Sequence, residues 1–338
     1  MNIDEIAKLA GVSKTTVSRV LNNRPDVSKE TADRINALIK YTGYTPNAFA
    51  KAINKKQANT IGLVIPYEAS YIFSNMYFVE LLRGISTHID ERSYYLMLCY
   101  PKGNNFVDFF KQKRIDGFII ISPDVNHARI INDLVEVKAP LILTANVPCY
   151  TGAAAYVDID DALGARLAVE HLISLGHRRI AYVGESSVIS ALRRKEAYLE
   201  CLRAHDILPD ETLLCYAEGN MVEAGYNLME GLMHLPNPPT AVFFSTDMLA
   251  IGATNAAHNM GLHIPTDVSL VGFDDIFMSQ YLSPPLTTVF QSAYDKGRIA
   301  AQILIDYLED GTPMHNQLLD ISLRLRSSTA PPNASRKT

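Results

Sequence analysis

The sequence predicts an α/β protein: an N-terminal three-helix, helix-turn-helix head followed by two lobes, each built on a doubly wound parallel sheet. Three observations lead to this prediction. From Thr60 onward, short apolar runs alternate with amphipathic helical stretches, as in parallel sheets covered by helices. Residues 1–44 show only helical patterns separated by tight turns. The 338 residues are enough for a small domain and one or two α/β domains.

The head opens with two short helices joined by a turn, in the stretch IDEIAKLAGVSKTTVSRVLNN. Asn2 and Glu5 have the spacing of a capping box, and Gly11 stands where the first helix must end. Ser13 is placed to cap the second helix. Apolar residues at helical spacing predict the buried stripes: Ile6, Leu9 and Ala10 on the first helix, and Val17, Val20 and Leu21 on the second.

The second helix leaves a polar, basic face outward, formed by Lys14, Thr15, Ser18 and Arg19. A recognition helix needs such a face in the major groove, where arginine reads guanine and hydroxyls are permissive partners. The alternative is a surface helical hairpin whose charges are only solvated. A third helix is predicted between a cap at Ser28 and a stop at Gly43. Three helices within residues 1–44 make a small head, which favours the DNA-binding interpretation.

The charge is divided between the ends of the chain. Residues 1–57 contain ten basic and five acidic residues, a formal charge of +5. The totals of 31 basic and 36 acidic residues leave −10 for residues 58–338. DNA should therefore bind the head alone.

Three stretches, GVSKTTVSRVLNN, VSKETADRI and GYTPNAFAKAI, resemble the head and hinge of the LacI–GalR family of bacterial transcription regulators. The match continues through almost the whole chain, and the resemblance implies a periplasmic-binding-protein-like body. Pattern and resemblance together predict these DNA contacts: Asn2, Lys14, Thr15, Thr16, Ser18, Arg19, Asn22, Asn47, Lys51 and Ile53.

Residues 45–58 are predicted to hold one short helix and a linker. Pro46 suits a first helical turn, but so short a helix is marginal without packing. In the family this hinge helix orders on the operator and inserts a leucine into the minor groove, and Ile53 is the matching residue. Isoleucine is stiffer, so the wedge geometry should differ. A plain linker is the alternative.

The body is expected to span 59–338 and to carry effector binding and dimerisation. The strand candidates are IGLVIP, YYLMLCY, GFIIIS, LILT, RIAYVG, LLCYAEG, AVFFST and VSLVGF. The resemblance assigns the helix DKGRIAAQILIDYLEDGTP to the first lobe and the strand LLDISLRLRSS to the second. It implies boundaries of about 59–159 and 292–320 for the first lobe and 160–291 and 321–330 for the second. The short polar tail lacks heptads, so a homodimer is expected.

A ligand of open α/β sheets binds beyond the carboxyl ends of the strands. The loops there carry hydroxyl, amide and acidic groups, which suit a hydroxylated ligand such as a sugar. The resemblance places effector contacts on Arg194 and Asp274. Thr246 stands where many members carry asparagine. The full predicted effector set is Tyr77, Phe78, Ser122, Asn146, Ser190, Arg194, Thr246, Asp274 and Gln291. The alternatives are helix capping for the aspartate and core packing for the aromatic pair.

Two other features look chemical. The run Asp158, Asp160 and Asp161 is interpreted as helix capping rather than a cation site. His171 and His177 are six residues apart and are expected to be surface or capping residues. The four cysteines show no CxxC pair, so neither a zinc site nor a disulfide framework is indicated. Without a signal peptide or membrane span, we expect a cytoplasmic protein.

The sequence thus predicts a ligand-responsive, dimeric repressor of carbohydrate-utilisation genes that binds palindromic double-stranded operator DNA. No cofactor, metal or membrane partner is expected. A regulator responding to a nucleobase or another metabolite is the main alternative. A transport sugar-binding protein would need an export signal in place of a basic head. An enzyme is disfavoured because no phosphate loop, nucleophile elbow or GxGxxG pattern follows a strand.

Overall fold

The computed structural model describes residues 2–21, 24, 26–44, 57–100, 105–122, 127–150 and 152–333. The helices within these ranges are α1 Ile3–Ala10, α2 Lys14–Leu21, α3 Lys29–Thr42, α4 Ala69–Ser74, α5 Met76–Glu91, α6 Phe106–Lys111, α7 Ala128–Glu136, α8 Asp161–Ser174, α9 Ile189–Ala204, α10 Met221–Met233, α11 Asp247–Asn259 and α12 Ala293–Asp310. The strands are β1 Thr60–Val64, β2 Tyr95–Cys99, β3 Gly117–Ile120, β4 Leu141–Leu143, β5 Ala155–Ile159, β6 Ile180–Glu185, β7 Leu214–Ala217, β8 Ala241–Phe244, β9 Ser269–Asp274, β10 Thr287–Gln291, β11 Gln317–Leu319 and β12 Ile321–Arg324.

The first three helices form the head as predicted. Asn2 and Glu5 make the capping box of α1, and Gly11 ends that helix in the left-handed conformation. The N–H of Thr16 donates to Ser13 Oγ at 3.1 Å, which caps α2. Ser28 caps α3.

The head core is built on Ile6, Val17 and Ile35, which are fully buried. The predicted stripe of α1 was wrong at one position, since Leu9 is 59% exposed. At about 100° per residue, Ala7 and Ala10 lie on one side of Ile6 and Leu9 lies on the other. The buried arc of α1 therefore includes Ala7 and excludes Leu9.

The rest of the described chain forms two six-stranded sheets. Lobe 1 contains the sheet of order β11-β5-β4-β3-β1-β2, in which every pair is parallel. Lobe 2 contains the sheet of order β12-β10-β9-β8-β6-β7, parallel except for the antiparallel pair of β12 and β10. Each sheet has a buried apolar cluster on both faces, so the predicted doubly wound architecture is confirmed.

The chain passes between the lobes three times. It leaves lobe 1 after β5, returns after β10 to place α12 against α5, and leaves again between β11 and β12. The predicted single final strand was wrong because β11 pairs with β5 in one sheet and β12 with β10 in the other. Asp320 lies at the switch, and all three crossings run beside the carboxyl ends of the parallel strands.

The pattern of apolar runs and helical stretches in the sequence did not predict β5, β10 or α4. The first two carry polar residues at their carboxyl ends, Asp158 in β5 and Gln291 in β10, which hide a strand from a search for apolar runs. In the portion of the chain that the structure describes, no helix has the length and hydropathy needed to cross a lipid bilayer.

Candidate functional site

A cavity of ≈60 Å³ lies between the lobes, beyond the carboxyl ends of their parallel strands. We call it the inner cavity. Eight of the nine predicted effector residues line it: Tyr77, Phe78, Ser122, Ser190, Arg194, Thr246, Asp274 and Gln291. The ninth, Asn146, does not line the cavity. Its N–H donates to Asp158 Oδ2 at 2.8 Å and its carbonyl accepts from Arg193 Nη2 at 2.7 Å.

Arg194 projects from α9 and is only 4% exposed. Its Nε donates to Asp161 Oδ1 at 2.8 Å, and its Nη1 donates to the carbonyl of Ser245 at 2.5 Å. The guanidinium carbon lies 3.5 Å from the centroid of the Phe273 ring. The ion pair, the hydrogen bond and the Phe273 ring together fix the Arg194 guanidinium before a ligand binds. This lowers the entropic cost of ordering that side chain on binding.

Asp274, at the end of β9, faces Arg194 with 3.8 Å between Oδ1 and Nη1. Its φ of 113° is unusual for a residue other than glycine and indicates backbone strain at the site. Gln291 Nε2 donates to Asp274 Oδ1 at 2.6 Å. Burial raises the pKa of Asp274 to about 7, although Arg194 lowers it. Near neutral pH the carboxyl can therefore accept a hydrogen bond from a ligand hydroxyl when it is ionised, or donate one when it is protonated.

Gln291 supplies the clearest sign of an absent partner. The side chain is 3% exposed and lines the cavity. Its Oε1 is buried and has no hydrogen-bond partner among the described residues. Because a buried acceptor without a donor is costly, a ligand N–H or O–H at this point would relieve the cost.

Lys296 is a site residue that the sequence analysis missed. It lies in α12, is 3% exposed, and its Nζ donates to Asp158 Oδ1 at 3.0 Å. Its Nζ also lies 5.8 Å from the centroid of the Tyr77 ring. The signal was present in the helix pattern, because Lys296 adjoins Gly297 and Ala300 on the buried face of α12.

The acidic run at the end of β5 and the start of α8 is more than a helix cap. Asp160 does cap α8 by accepting from the N–H of Leu163 at 2.9 Å. Asp161 lies in the first turn of α8, as the interpretation predicts. Capping was the wrong interpretation for Asp158, which lies in β5. Both carboxylates are buried, with Asp158 4% and Asp161 3% exposed. They are paired with Lys296 and Arg194. Since the run ends one strand and starts a helix of the other lobe, these aspartates lie at the interlobe crossing.

Aromatic rings form the lobe 1 wall of the cavity. The ring centroids of Tyr71 and Phe78 are 5.7 Å apart, and those of Tyr67 and Tyr71 are 5.4 Å apart. Tyr71 donates to Glu185 Oε1 of lobe 2 at 2.7 Å. Phe78 is 6% exposed, so it packs in the core and lines the cavity at once. Tyr71 was missed because α4, which carries it, was not predicted.

Asp247 does not line the inner cavity but connects the segments that surround Asp274. It is fully buried, and it accepts from Thr288 Oγ1 at 2.6 Å, Ser279 Oγ at 2.5 Å and the N–H of Ile276 at 3.0 Å. Burial raises its pKa to about 8. Thr246 before it caps α11 and lines the cavity. Asp247 thereby ties α11 to the chain that follows β9, next to Asp274.

The histidine interpretation was wrong for His177, which is 1% exposed. Its Nδ1 is 2.9 Å from Thr240 Oγ1 and its Nε2 is 2.9 Å from the carbonyl of Ala330. It joins the start of the lobe 2 sheet to the final stretch of chain. His171 is partly buried against Thr329. Among the described residues, no group of three His, Cys, Asp or Glu side chains is placed to hold a metal.

On the head, α2 exposes Lys14, Thr15 and Arg19, while Thr16 and Ser18 are partly buried. Lys14 Nζ is 3.1 Å from Asp4, and Arg19 Nη1 is 3.4 Å from Asp26. Asn2 caps α1 beside them. The other predicted contacts, Asn22, Asn47, Lys51 and Ile53, and the hinge segment 45–56 lie outside the described residues.

Comparison with known proteins agrees with both parts of this arrangement. Residues 2–47 match the model of bacterial regulatory proteins of the lacI family, and residues 169–329 match the periplasmic binding protein-like domain. The "Probable HTH-type transcriptional repressor ExuR" of Bacillus subtilis (strain 168) is 35% identical over 321 residues, which cover 95% of each chain.

Two solved structures share the whole architecture. The lac repressor dimer bound to operator and the anti-inducer ONPF is 26% identical, with a TM-score of 0.85 over 98% of this chain and 99% of that one. The complex of the transcriptional regulator CelR with cellobiose is 28% identical, with a TM-score of 0.72 over 97% and 99% of the two chains. With a helix-turn-helix head, two lobes around a polar cavity and full-length relatives, the chain belongs to the LacI family of bacterial regulatory proteins.

Proposed function

We propose that this protein is a dimeric transcriptional repressor whose affinity for a palindromic operator changes when a small, sugar-like effector binds between its lobes. In this proposal residues 1–44 read DNA, residues 45–58 form the hinge, and residues 59–338 bind the effector and dimerise. Such a repressor acts on bacterial DNA, and we therefore place it in the cytoplasm. The observation that carries the proposal is the inner cavity, which takes polar side chains from both lobes of a body attached to a basic head.

The cavity supports a polyhydroxylated effector. Arg194 donates, Asp274 accepts or donates, and Gln291 offers an acceptor without a partner. A sugar hydroxyl can do both, so one ring could satisfy all three. Tyr77 and Phe78 supply apolar surface for the C–H face of such a ring. The cellobiose bound by CelR supports the same class for this chain.

Both lobes contribute to the cavity, so effector binding should control how the lobes meet. Lys296 of lobe 1 and Arg193 of lobe 2 both lie within 3.6 Å of Asp158. A ligand that binds one arrangement of these groups more tightly shifts the population of lobe arrangements. In the sequence, the hinge joins the head to the start of lobe 1. A change in how the lobes are arranged would therefore move the head, and this links the effector to the operator.

A nucleobase or nucleoside effector is the second candidate. The observation that favours it is the cluster of Tyr67, Tyr71 and Phe78, whose rings lie within 6.2 Å of one another and could stack on a planar base. The polar groups at Arg194 and Asp274 fit either class.

A thermal-shift screen of sugars, sugar derivatives and nucleobases tests the proposal. An effector at about a hundred times its dissociation constant adds about 2.7 kcal/mol to the stability of the folded protein. Each stabilising compound is then added to the protein with operator DNA, and operator affinity is measured by fluorescence anisotropy. A stabilising compound that leaves operator affinity unchanged is not an effector. Failure of the full-length protein to bind any duplex specifically would contradict the repressor assignment.

A further inference from the structure

A second, larger space lies next to the inner cavity. It is ≈760 Å³ in volume and opens to solvent. We call it the outer chamber. Five residues border both spaces and form a wall between them: Tyr67, Tyr71, Asn75, Glu185 and Val188. Across this wall, the Tyr71 hydroxyl of lobe 1 donates to Glu185 Oε1 of lobe 2 at 2.7 Å.

The wall is a side of the inner cavity on which the lobes can separate. Asp158, Asp161 and Gln291 border the inner cavity where the chain crosses between the lobes, and none of the three borders the outer chamber. Covalent connections hold the lobes together there. At the wall, Tyr71 instead holds them by its hydrogen bond and by packing against the apolar clusters of both lobes. A rotation of the lobes about the crossings therefore opens the wall.

The inner cavity is too small to admit an effector while the wall is closed. At ≈60 Å³ it has room for a few water molecules, whereas small-molecule pockets measure about 300–1,000 Å³. Gln291 Oε1, the buried acceptor that has no partner among the described residues, belongs to this cavity. A ligand that reaches Gln291 from the outer chamber must therefore displace part of the wall.

Tyr71 belongs to a helix that is weakly held. α4 has six residues, and Glu68 at its N-cap makes no side-chain capping hydrogen bond. Ile72 is fully buried in lobe 1 and Tyr71 is partly buried, while the other residues of α4 are exposed. So short a helix is not stable by itself. Segments with few buried contacts are the ones that open locally in a folded protein.

Glu185 makes the closed wall favourable. It ends β6 and is 7% exposed. Burial raises the pKa of Glu185, whereas the hydrogen bond from Tyr71 and the charge of Arg194 lower it. The Tyr71 hydroxyl thus offsets part of the cost of burying this carboxyl. In an open arrangement water takes the place of Tyr71, so the hydrogen bond can be broken and remade.

We propose that Tyr71 controls access to the inner cavity. α4 and the Tyr71–Glu185 hydrogen bond, which we call the latch, must open before an effector reaches Arg194, Asp274 and Gln291. The latch closes again behind the effector, so it slows both entry and release. This inference rests on the proposed function for what enters the cavity, but the latch itself can be tested without an effector.

A thiol behind the wall reports on access. Ala145 borders the inner cavity, does not border the outer chamber and is 9% exposed, so Ala145→Cys supplies that thiol. The full-length variant is treated with methyl methanethiosulfonate, a small uncharged reagent that thiolates attack, and peptide mass spectrometry follows each cysteine. When the latch opens and closes faster than the reagent reacts, the rate follows the open population. Thr144→Cys, at a position 1% exposed on the same cavity, is the second reporter.

Two tyrosines of the wall separate the latch from the wall as a whole. Tyr71→Phe keeps the ring and removes the hydroxyl that joins the lobes. It should raise the labelling rate at position 145 by about tenfold, the effect expected of one hydrogen bond to a buried carboxyl. Tyr67→Phe is the matched control, because the Tyr67 hydroxyl donates at the same 2.7 Å to the carbonyl of Ser122 within lobe 1. Its labelling rate should equal that of the protein with both tyrosines.

Two native thiols report on general loosening of the lobes. Cys99 in lobe 1 and Cys201 in lobe 2 are 1% and 4% exposed, and neither borders the inner cavity or the outer chamber. Both should react at the same rate in every variant.

Three results would overturn the inference. Unchanged labelling at position 145 in Tyr71→Phe would mean that the hydrogen bond does not control access. An equal increase in Tyr67→Phe would assign the effect to the wall and not to the contact between lobes. A parallel increase at Cys99 and Cys201 would mean that the variant loosens the fold. None of these measurements uses an effector or DNA, so the proposed function stands or fails separately, by its own screen.

Discussion

The head and the cleft, by which we mean the space between the lobes that contains the inner cavity, each hold one lysine–aspartate pair. The pair in the head is exposed and the pair in the cleft is buried. Lys14 and Asp4 are 3.1 Å apart with side chains 60% and 58% exposed. Lys296 and Asp158 are 3.0 Å apart with side chains 4% and 5% exposed. A solvent-exposed pair is worth about 0–1 kcal/mol, so Lys14 can leave Asp4 for a phosphate at little cost. Breaking a buried pair costs about 3–5 kcal/mol, so Lys296 is fixed. The charged side chains of the DNA-binding surface are thus free to change partners, whereas those of the cavity are held in place before a ligand binds.

The largest expected effect follows from breaking the buried pair. Lys296→Met leaves Asp158 without its closest cation and should lower the free energy of unfolding by about 3–5 kcal/mol, reduced by whatever Arg193 supplies. Lys14→Met in the head is the matched control and should change it by less than about 1 kcal/mol. Urea unfolding measures both. Equal losses in the two variants would contradict the comparison, and Lys296→Met/Asp158→Asn should recover most of the stability.

The next effect separates the cleft from the head by function. Asp274→Ala removes a carboxyl that contacts Gln291 and faces Arg194. We expect effector binding to weaken by about 1–3 kcal/mol, because a buried ligand hydroxyl loses its partner. Operator affinity without effector should stay at the wild-type value. Calorimetry measures the first quantity and anisotropy the second. Loss of operator binding would show that Asp274 serves the fold instead.

A comparable effect is expected on the DNA side alone. Arg19 is exposed on α2, so Arg19→Ala should leave stability within about 0.5 kcal/mol. If Arg19 reads a base, the variant should lose about 1–3 kcal/mol of discrimination at one position of the operator. Binding to a set of single-base operator variants measures this. An equal loss on operator and random DNA would assign Arg19 to a phosphate instead.

The last comparison is the pH dependence of stability at two aspartates in different surroundings. Burial raises the pKa of Asp247 to about 8. The unfolded chain then loses its proton first as pH rises, so the stability of the wild type relative to Asp247→Asn should fall between about pH 4 and 8 and level off above. A constant difference across this range would mean that folded Asp247 is ionised throughout.

Asp210 is the partly exposed counterpart. Hydrogen bonds from Thr212 and Arg179 lower its pKa to about 2. The stability that Asp210 contributes relative to Asp210→Asn is present above about pH 4 and should be lost as the pH falls towards 2. The two aspartates should therefore show pH dependences in opposite directions and in separate windows.

The sequence predicted the architecture because the signals for it are local. Ser28, Gly11 and the stripe of Val17 and Val20 act within one or two turns of helix. The sequence also indicated where the cavity would lie, because parallel strands present their carboxyl ends together. The resemblance put the lobe boundary at 320, but the apolar pattern showed a single strand there, because the division into β11 and β12 depends on which sheet each half joins.

The charged partners of the site could not be predicted for a different reason. Lys296 and Asp158 are 138 residues apart, and Arg194 meets Asp161 across 33 residues. In a sequence, each looks like a solvated charge on a helix or a cap after a strand. Only the return of α12 to lobe 1 brings Lys296 beneath β5. His177 escaped in the same way, since its partners lie at 240 and 330.

The central claim is that the cleft and the head are thermodynamically coupled. It is tested most directly by measuring four dissociation constants with one stabilising compound from the screen: operator with and without the compound, and the compound with and without operator. Linkage requires both pairs to change by the same factor, typically about 5–150-fold. We predict equal factors for the wild type and a factor near one for operator binding of Asp274→Ala at the same compound concentration. If every compound that binds in the cleft of the wild type leaves operator affinity unchanged, the account is contradicted.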